Sequence, residues 1–220
     1  MPLSAAELLA SATARLAPDP QSNRVVPRIA RGAAHRDTLA ALALEQQWVI
    51  AADRRSFLHL AERTDDTPEA AAFFTSLAEG EALAAEQLTA FAVAAGVTEE
   101  QSRSHIPRPG GQAYPAYVAW LALNASPADV VLALTANFSA WGGYCAGIAE
   151  GLRRHYGFPD EACAFFDFFA EPAPDLDTQA TAAVQAALDT GRLNTGLAHT
   201  YGSLLQSYEA MFWESLGEAP

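Results

Sequence analysis

ADVVLALTANFSAWGGYCAGIAEGLRRHY, residues Ala128–Tyr156, is the stretch whose reading decides the fold class. Val130, Val131, Leu134, Phe138, Trp141, Cys145, Ile148 and Leu152 recur at the spacings of a buried stripe on a helix. Pro127 suits the first helical position, with Ser126 before it as N-cap. Arg153, Arg154 and His155 fall in the last turn, where the helix dipole favours cations, and Gly157 follows as C-cap. One long helix is predicted. Its middle departs from a plain core element: Asn137, Ser139, Gly142, Gly143 and Tyr144 are polar or small. A glycine in a helix costs about 1 kcal/mol against alanine. The pair therefore reads in two ways, as close helix packing or as room for a ligand.

Working outward, the same period recurs on both sides. Ser4 and Glu7 have capping-box spacing at the head of a first helix through Leu16, ended by Pro18, Asp19 and Pro20. A short segment, Asn23 to Arg31, follows. Asp37 to about Arg63 is predicted as a long helix, with Leu39, Leu42, Leu44, Trp48, Val49, Ala52, Phe57 and Leu58 at its apolar positions. Asp65, Asp66 and Thr67 make a turn, and Pro68 opens the next long helix, which Gly96 caps. Thr98 starts a short helical piece. Ile106 to Gln112, IPRPGGQ, reads as a loop, and Tyr114 to Leu123 as a helix with Pro115 in its first turn. Pro159–Phe169, Asp175–Asp189 and Asn194 to about Leu216 complete the set. No alternating strand pattern competes. The predicted class is all-α, one helical bundle over residues 1–220.

Composition narrows the function classes. The formal charge is -13, from 26 acidic and 13 basic residues, and every basic residue is Arg. Such a chain repels nucleic acid and anionic membrane, so neither is an expected partner. No run of apolar residues is long enough to span a bilayer. MPLSAAELLASA has no basic region ahead of an apolar run, so no secretion signal is expected. Cys145 and Cys163 are the only cysteines, both in apolar helical context, which favours a reducing compartment; cytoplasm is the expectation.

Several side chains are candidates for chemistry. In the last helix Tyr201, Leu204, Leu205, Tyr208, Met211 and Phe212 form a broad apolar and aromatic face, with Glu209 among them. Glu209 is either a buried acid with a raised pKa, able to handle protons, or a solvent-facing glutamate. Gln46, Gln47 and Trp48 sit mid-helix, where a glutamine is either a pocket amide or a surface residue. Tyr114 stands either at a cavity mouth or in the core. His35, His59, His105, His155 and His199 are scattered, and the chain has no HxxxH, ExxH or DxxxH. Carboxylate-bridged di-iron bundles rest on Glu-x-x-His pairs, so no metal site is expected, and no other cofactor. A phosphate-binding glycine loop and a GxSxG elbow are also missing from the sequence.

Three local patterns, with the helical order, give the chain a resemblance to the TenA/thiaminase II family of the haem-oxygenase-like superfamily. YEAMFW, Tyr208–Trp213, resembles the family's Tyr-Glu-x-x-Phe-Trp ending. LEQQWVI, Leu44–Ile50, resembles its Leu-Gln-Asp segment followed by aromatics, and Tyr114 pairs with the long helix from Ala128. The resemblance spans nearly the whole chain. It implies a haem-oxygenase-like helical bundle, a cytoplasmic homodimer or homotetramer, and an internal pocket for an aminopyrimidine. It implies cleavage of thiamin, or deamination of a degraded aminopyrimidine, by a Cys nucleophile, a Glu acid/base, an Asp on the pyrimidine edge and orienting tyrosines.

Carried over, Glu209 holds the Glu position, and Gln46, Trp48, Tyr114, Asn137, Trp141 and Tyr208 are the expected ligand-binding residues. Two positions depart from the family. Asn137 stands at the Cys position and has no ionisable nucleophile. Cys145, eight residues on, lies about 12 Å along the helix and roughly 80° round it. Gln46 stands at the Asp position and offers hydrogen bonds without charge. The expectation is a neutral, amide-lined pocket with Glu209 as its remaining acid. Three functions stay open: hydrolysis of a thiamin-related aminopyrimidine or other small heterocycle without a Cys nucleophile; non-catalytic small-molecule binding or regulation; and a haem-oxygenase-like or pyrroloquinoline-quinone-synthase-like oxidative reaction.

Overall fold

A computed structural model describes residues 3–18, 23–64 and 67–217. The turn residues Asp19, Pro20, Asp65 and Asp66 lie outside that description. Ten α-helices follow in order, and no strand occurs among the described residues: α1 Ala5–Arg15, α2 Val25–Ala30, α3 Arg36–Glu62, α4 Pro68–Ala94, α5 Glu99–Ser104, α6 Pro109–Asn124, α7 Pro127–Gly151, α8 Asp160–Ala170, α9 Pro174–Asp189 and α10 Thr195–Gly217. No helix of the described residues is long and apolar enough to cross a membrane.

Local chemistry sets the boundaries. Ser4 with Glu7, and Thr98 with Gln101, form the two capping boxes of α1 and α5. Asn23 caps α2 by accepting from the backbone of Val25 and Val26. The predicted long helix is α7, prolonged by a π turn, Leu152–Tyr156, and ended by Gly157 at φ 70°. Ser126 holds the N-cap position but makes no side-chain cap bond there. Arg153 clamps this end to α8 through Asp167 and Asp160, and the Tyr156 hydroxyl bonds both backbone groups of Ala34.

The structure corrects the sequence reading in three places. IPRPGGQ is not all loop: α6 begins at Pro109. Its glycines serve close approach rather than a turn. A Cβ at Gly110 would lie 2.5 Å from the Met211 carbonyl, and one at Gly111 would strike the Glu45 carboxylate. Pro115 sits inside α6, beyond the first turn, so the Gly111 carbonyl loses its usual helical donor. On α3, Trp48 and Leu58 face outward at 44% and 41% exposure, while Glu45, Gln46, Asp53 and Ser56 are buried. On α10, Leu204 and Met211 are exposed; the buried face is Ala198, Gly202, Leu205, Glu209, Phe212, Trp213 and Leu216.

α3 packs along α4 and α6, α10 lies on α6 and α7, and α8 and α9 close over α4 and α7. The interior divides into two apolar clusters. One gathers Ile29, Leu42, Phe91, Ile148, Phe166 and Phe212. The other gathers Phe57, Leu60, Phe73, Leu121, Leu134 and Leu205. Between them, mid-way along the long helices, packing is interrupted by a cavity that touches both: Ile50 and Phe212 line it from the first cluster, Phe57 and Phe73 from the second.

Candidate functional site

The cavity has a volume of about 870 Å³, within the range of small-ligand pockets. Helical period delivers its polar groups. Gln46, Ile50, Asp53 and Phe57 succeed one another at four, three and four residues, so they share the inner face of α3. α4 contributes Phe73, Leu77 and Glu81; α6 contributes Tyr114; α7 contributes Asn137, Phe138, Trp141 and both glycines; α10 contributes Glu209 and Phe212. A Cβ on Gly142 would meet the Phe169 carbonyl at 3.0 Å, whereas one on Gly143 would meet nothing within 4 Å. Gly143 therefore leaves space at the wall of the cavity.

Of the seven residues expected at the site, Gln46, Tyr114, Asn137, Trp141 and Glu209 line this one cavity. Trp48 does not: it points to solvent from the opposite side of α3. Tyr208 does not either. It packs against Tyr117, ring centroids 5.0 Å apart, on the outer face of α6 and α10. The step of one residue from Glu209 turns a side chain about 100° round the helix, and here that step carries Tyr208 off the cavity face.

Glu209 is buried, at 7% exposure. Its Oε1 accepts from the Trp213 indole N–H at 3.1 Å, and its Oε2 has no hydrogen-bond partner. Burial pushes its pKa above the ordinary carboxylate range, against the opposing pull of the Trp213 and Asn137 side chains. The Gln206 amide donates to Asn137 Oδ1, which leaves the Asn137 N–H₂ to face its neighbours. Burial raises the Tyr114 phenol well above its usual value; the carboxyls of Asp53, Glu209 and Glu81 add to the rise, and Asn137 opposes it. Trp141 forms the aromatic wall, tilted on Trp213 at 5.9 Å and edge-on to Phe169 at 5.8 Å. Glu209 and Trp213 also border a second cavity of about 230 Å³ together with Asn23, Tyr144, Gln206 and Ser207.

The pocket is not neutral. Asp53, two turns beyond Gln46, and Glu81, across from it on α4, bring two further carboxyl groups. Asp53 is 4% exposed and its Oδ1 has no hydrogen-bond partner. Burial raises the pKa of both, and the Asp53 charge raises that of Glu81 further. Sequence reasoning did not single out this pair: Asp53 is followed by Arg54 and Arg55, and a charged run carries no mark of a cavity wall. The available signal was its spacing of three residues from Ile50 and four from Phe57.

Cys145 does not line the cavity; it is fully buried in the first apolar cluster, and burial raises its thiol pKa. No thiolate stands in for the missing nucleophile at Asn137. Among the described residues no group of three or more His, Cys, Asp or Glu side chains is placed to hold a metal ion. None of the five histidines lines the cavity. A haem seated there would find no imidazole or thiolate ligand.

No protein-family profile matches the chain, and no curated protein matches it in sequence. Solved structures do match its fold over nearly its full length. A TenA family transcription regulator from a Silicibacter species superposes with a TM-score of 0.76 at 14% identity, covering 96% of this chain and 97% of that one. A TenA homologue from Pyrococcus furiosus gives 0.72 at 12% identity, covering 96% and 99%. A domain of unknown function with a heme oxygenase-like fold from Shewanella denitrificans gives 0.71 at 14% identity, covering 96% and 89%. The bundle is thus the haem-oxygenase-like fold, in the form seen in TenA proteins. At such identity the likeness extends to the fold and leaves the chemistry to the cavity's own residues.

Proposed function

We propose that the cavity binds a small planar nitrogen heterocycle of the aminopyrimidine type and hydrolyses it with water, not a cysteine, as nucleophile. The observation that carries this reading is the convergence of Tyr114, Asn137, Asp53 and Glu209 on one aromatic-walled cavity, with Glu209 buried and only one of its oxygens held. Trp141 and the phenylalanines offer faces on which a flat ring stacks. Asp53 is the carboxylate on α3 suited to a pyrimidine N–H edge, the role that the sequence resemblance left with the neutral Gln46. In the hydrolysis Glu209 takes a proton from water as the oxygen bonds to the carbon under attack; when an amine leaves, the proton is returned to it and it departs as ammonia, and when a thiazolium leaves from the methylene carbon as neutral thiazole, the proton passes to solvent. Asn137 has no nucleophile to offer and orients the acid through its amide.

The comparison with TenA structures supports the fold on which this reading depends. Two buried, unpaired cysteines agree with a cytoplasmic setting. The exposed apolar residues Trp120 and Leu123 on α6 and Leu197 and Leu204 on α10 agree with a homodimer or homotetramer.

Calorimetric titration with thiamin and with 4-amino-2-methylpyrimidine, coupled to assays of thiazole release from the first and ammonia release from the second, tests the reading. Micromolar to millimolar binding with turnover is expected. Binding without turnover identifies a ligand-binding relative and removes the hydrolytic step. Failure of thiamin and aminopyrimidines to bind at millimolar concentration overturns the proposal.

A further inference from the structure

The charged residues lining the cavity are all of one sign: Asp53 on α3, Glu81 on α4, Glu171 between α8 and α9, Asp175 and Asp177 on α9, and Glu209 on α10. No Arg or His lines it, and the chain has no Lys to supply one. α6 adds the neutral phenol of Tyr114, and α7 adds no titratable group. Four of the carboxyls have other surroundings: Glu209 is bonded to Trp213, and Glu171, Asp175 and Asp177 stand exposed at the α8–α9 end of the cavity. Asp53 and Glu81 are different. They face each other across α3 and α4, the two longest helices, with no cation between them. A buried carboxyl with an unpartnered oxygen, Asp53, beside the half-buried Glu81 and without a counter-ion is costly to ionise, and a protein that keeps such a pair at a cavity wall has a receptor for positive charge.

We propose that Asp53 and Glu81 together form a receptor for a cationic ligand bearing an N–C–N edge, an amidinium or aminopyrimidinium, with one carboxylate for each nitrogen. Hydrogen bonds from a cationic N–H to a carboxylate are charge-assisted and stronger than neutral ones, which favours such a ligand over its uncharged counterpart. The inference rests on the reading of the cavity as a heterocycle site and adds the ligand's charge and the role of Glu81. It has a second consequence. Two neighbouring carboxyls without a counter-ion favour keeping one proton between them. A ligand that arrives already cationic replaces that proton as the compensating charge, and the proton leaves to solvent. A neutral aminopyrimidine instead takes the proton onto its ring nitrogen, and none is released.

Benzamidine, cationic at every pH of interest, and benzamide, its neutral counterpart, are the probes. Titration calorimetry at pH 7 in two buffers of different ionisation enthalpy reads affinity and proton release together. Benzamidine is expected to bind at least tenfold more tightly than benzamide and to release up to one proton. Glu81→Gln is expected to weaken benzamidine at least tenfold and to abolish the release, leaving benzamide unchanged; Asp53→Asn provides a second variant with the same expectation. Equal binding of the two probes, no benzamidine binding, or unchanged benzamidine affinity in Glu81→Gln overturns the inference. If benzamidine behaves as expected while 4-amino-2-methylpyrimidine does not bind, the cation receptor stands and the aminopyrimidine reading falls. The reverse result removes the receptor and leaves that reading in place.

Discussion

Glu209 combines burial with one oxygen held by an indole and one left free. A carboxyl in that state accepts or donates a proton with little reorganisation. Replacing it by the isosteric amide in Glu209→Gln keeps the Trp213 contact available and removes the titration. Turnover of thiamin or an aminopyrimidine, measured as thiazole or ammonia released, is expected to fall by about 10²–10⁴-fold, with binding retained. Because burial raises its pKa and hydrolysis needs the ionised form, kcat/KM is expected to climb with pH through an inflection above the ordinary carboxylate range. A flat profile, or turnover surviving the substitution, assigns the acid–base step elsewhere. At this scale the sequence was half legible. Asn137, Tyr114 and Glu209 were identifiable because they depart from an apolar stripe or match a family position. Whether Glu209 was buried depended on which face of α10 meets α7, and a one-residue register decides that: Tyr208, next to it, turns out to face away.

The helices themselves were legible because their apolar positions recur at helical period and their ends carry Pro, Ser, Thr and Gly where capping requires them. The inner face of α3 was not, because a cavity reverses the usual rule. Gln46 and Asp53 are buried there, while Trp48 is exposed. The start of α6 was hidden for another reason: its glycines answer to neighbours distant in sequence. Glu45 is fully buried and accepts from the Arg108 backbone N–H and contacts the His105 ring, both at 3.1 Å, with Gly111 packed against it. Gly111→Ala forces that carboxylate aside. It is expected to destabilise by about 1–3 kcal/mol, as overpacking does, in urea unfolding followed by circular dichroism. A gain in stability, the ordinary result of Gly→Ala in a helix, is the outcome that sinks this account.

Across the whole molecule, the Asp53–Glu81 pair couples stability to pH. Both groups hold protons more tightly folded than unfolded, so the folded state binds more protons above the ordinary carboxylate range. Their contribution is fully present below that range and is lost as pH rises through the raised folded values. The thermal midpoint of the ligand-free protein is expected to decline as pH rises above the ordinary carboxylate range, and Glu81→Gln to flatten the decline. An unchanged slope in that variant places the dependence in other carboxyls. The outer surface carries a second expectation. Trp120, Leu123, Leu197 and Leu204 are 46%, 66%, 44% and 37% exposed on α6 and α10, with Trp120 stacked on Tyr117 at 5.7 Å. We propose this face as the contact between copies of the chain. Sedimentation velocity is expected to show a dimer or tetramer that Trp120→Glu dissociates, and a monomeric parent protein removes the proposal.

Gly143 has a consequence for how such a protein is redesigned. An alanine there meets no neighbour within 4 Å, so the helix forgoes about 1 kcal/mol of intrinsic propensity without any packing reason. Gly143→Ala is expected to raise the unfolding free energy by roughly that amount, and larger residues at the same position to fill the void beside it. The position thus works as a size dial. Stability and the largest ligand admitted move in opposite directions as it is turned, and a short series, Ala, Val and Leu, would sort ligands by bulk without disturbing a single charged group.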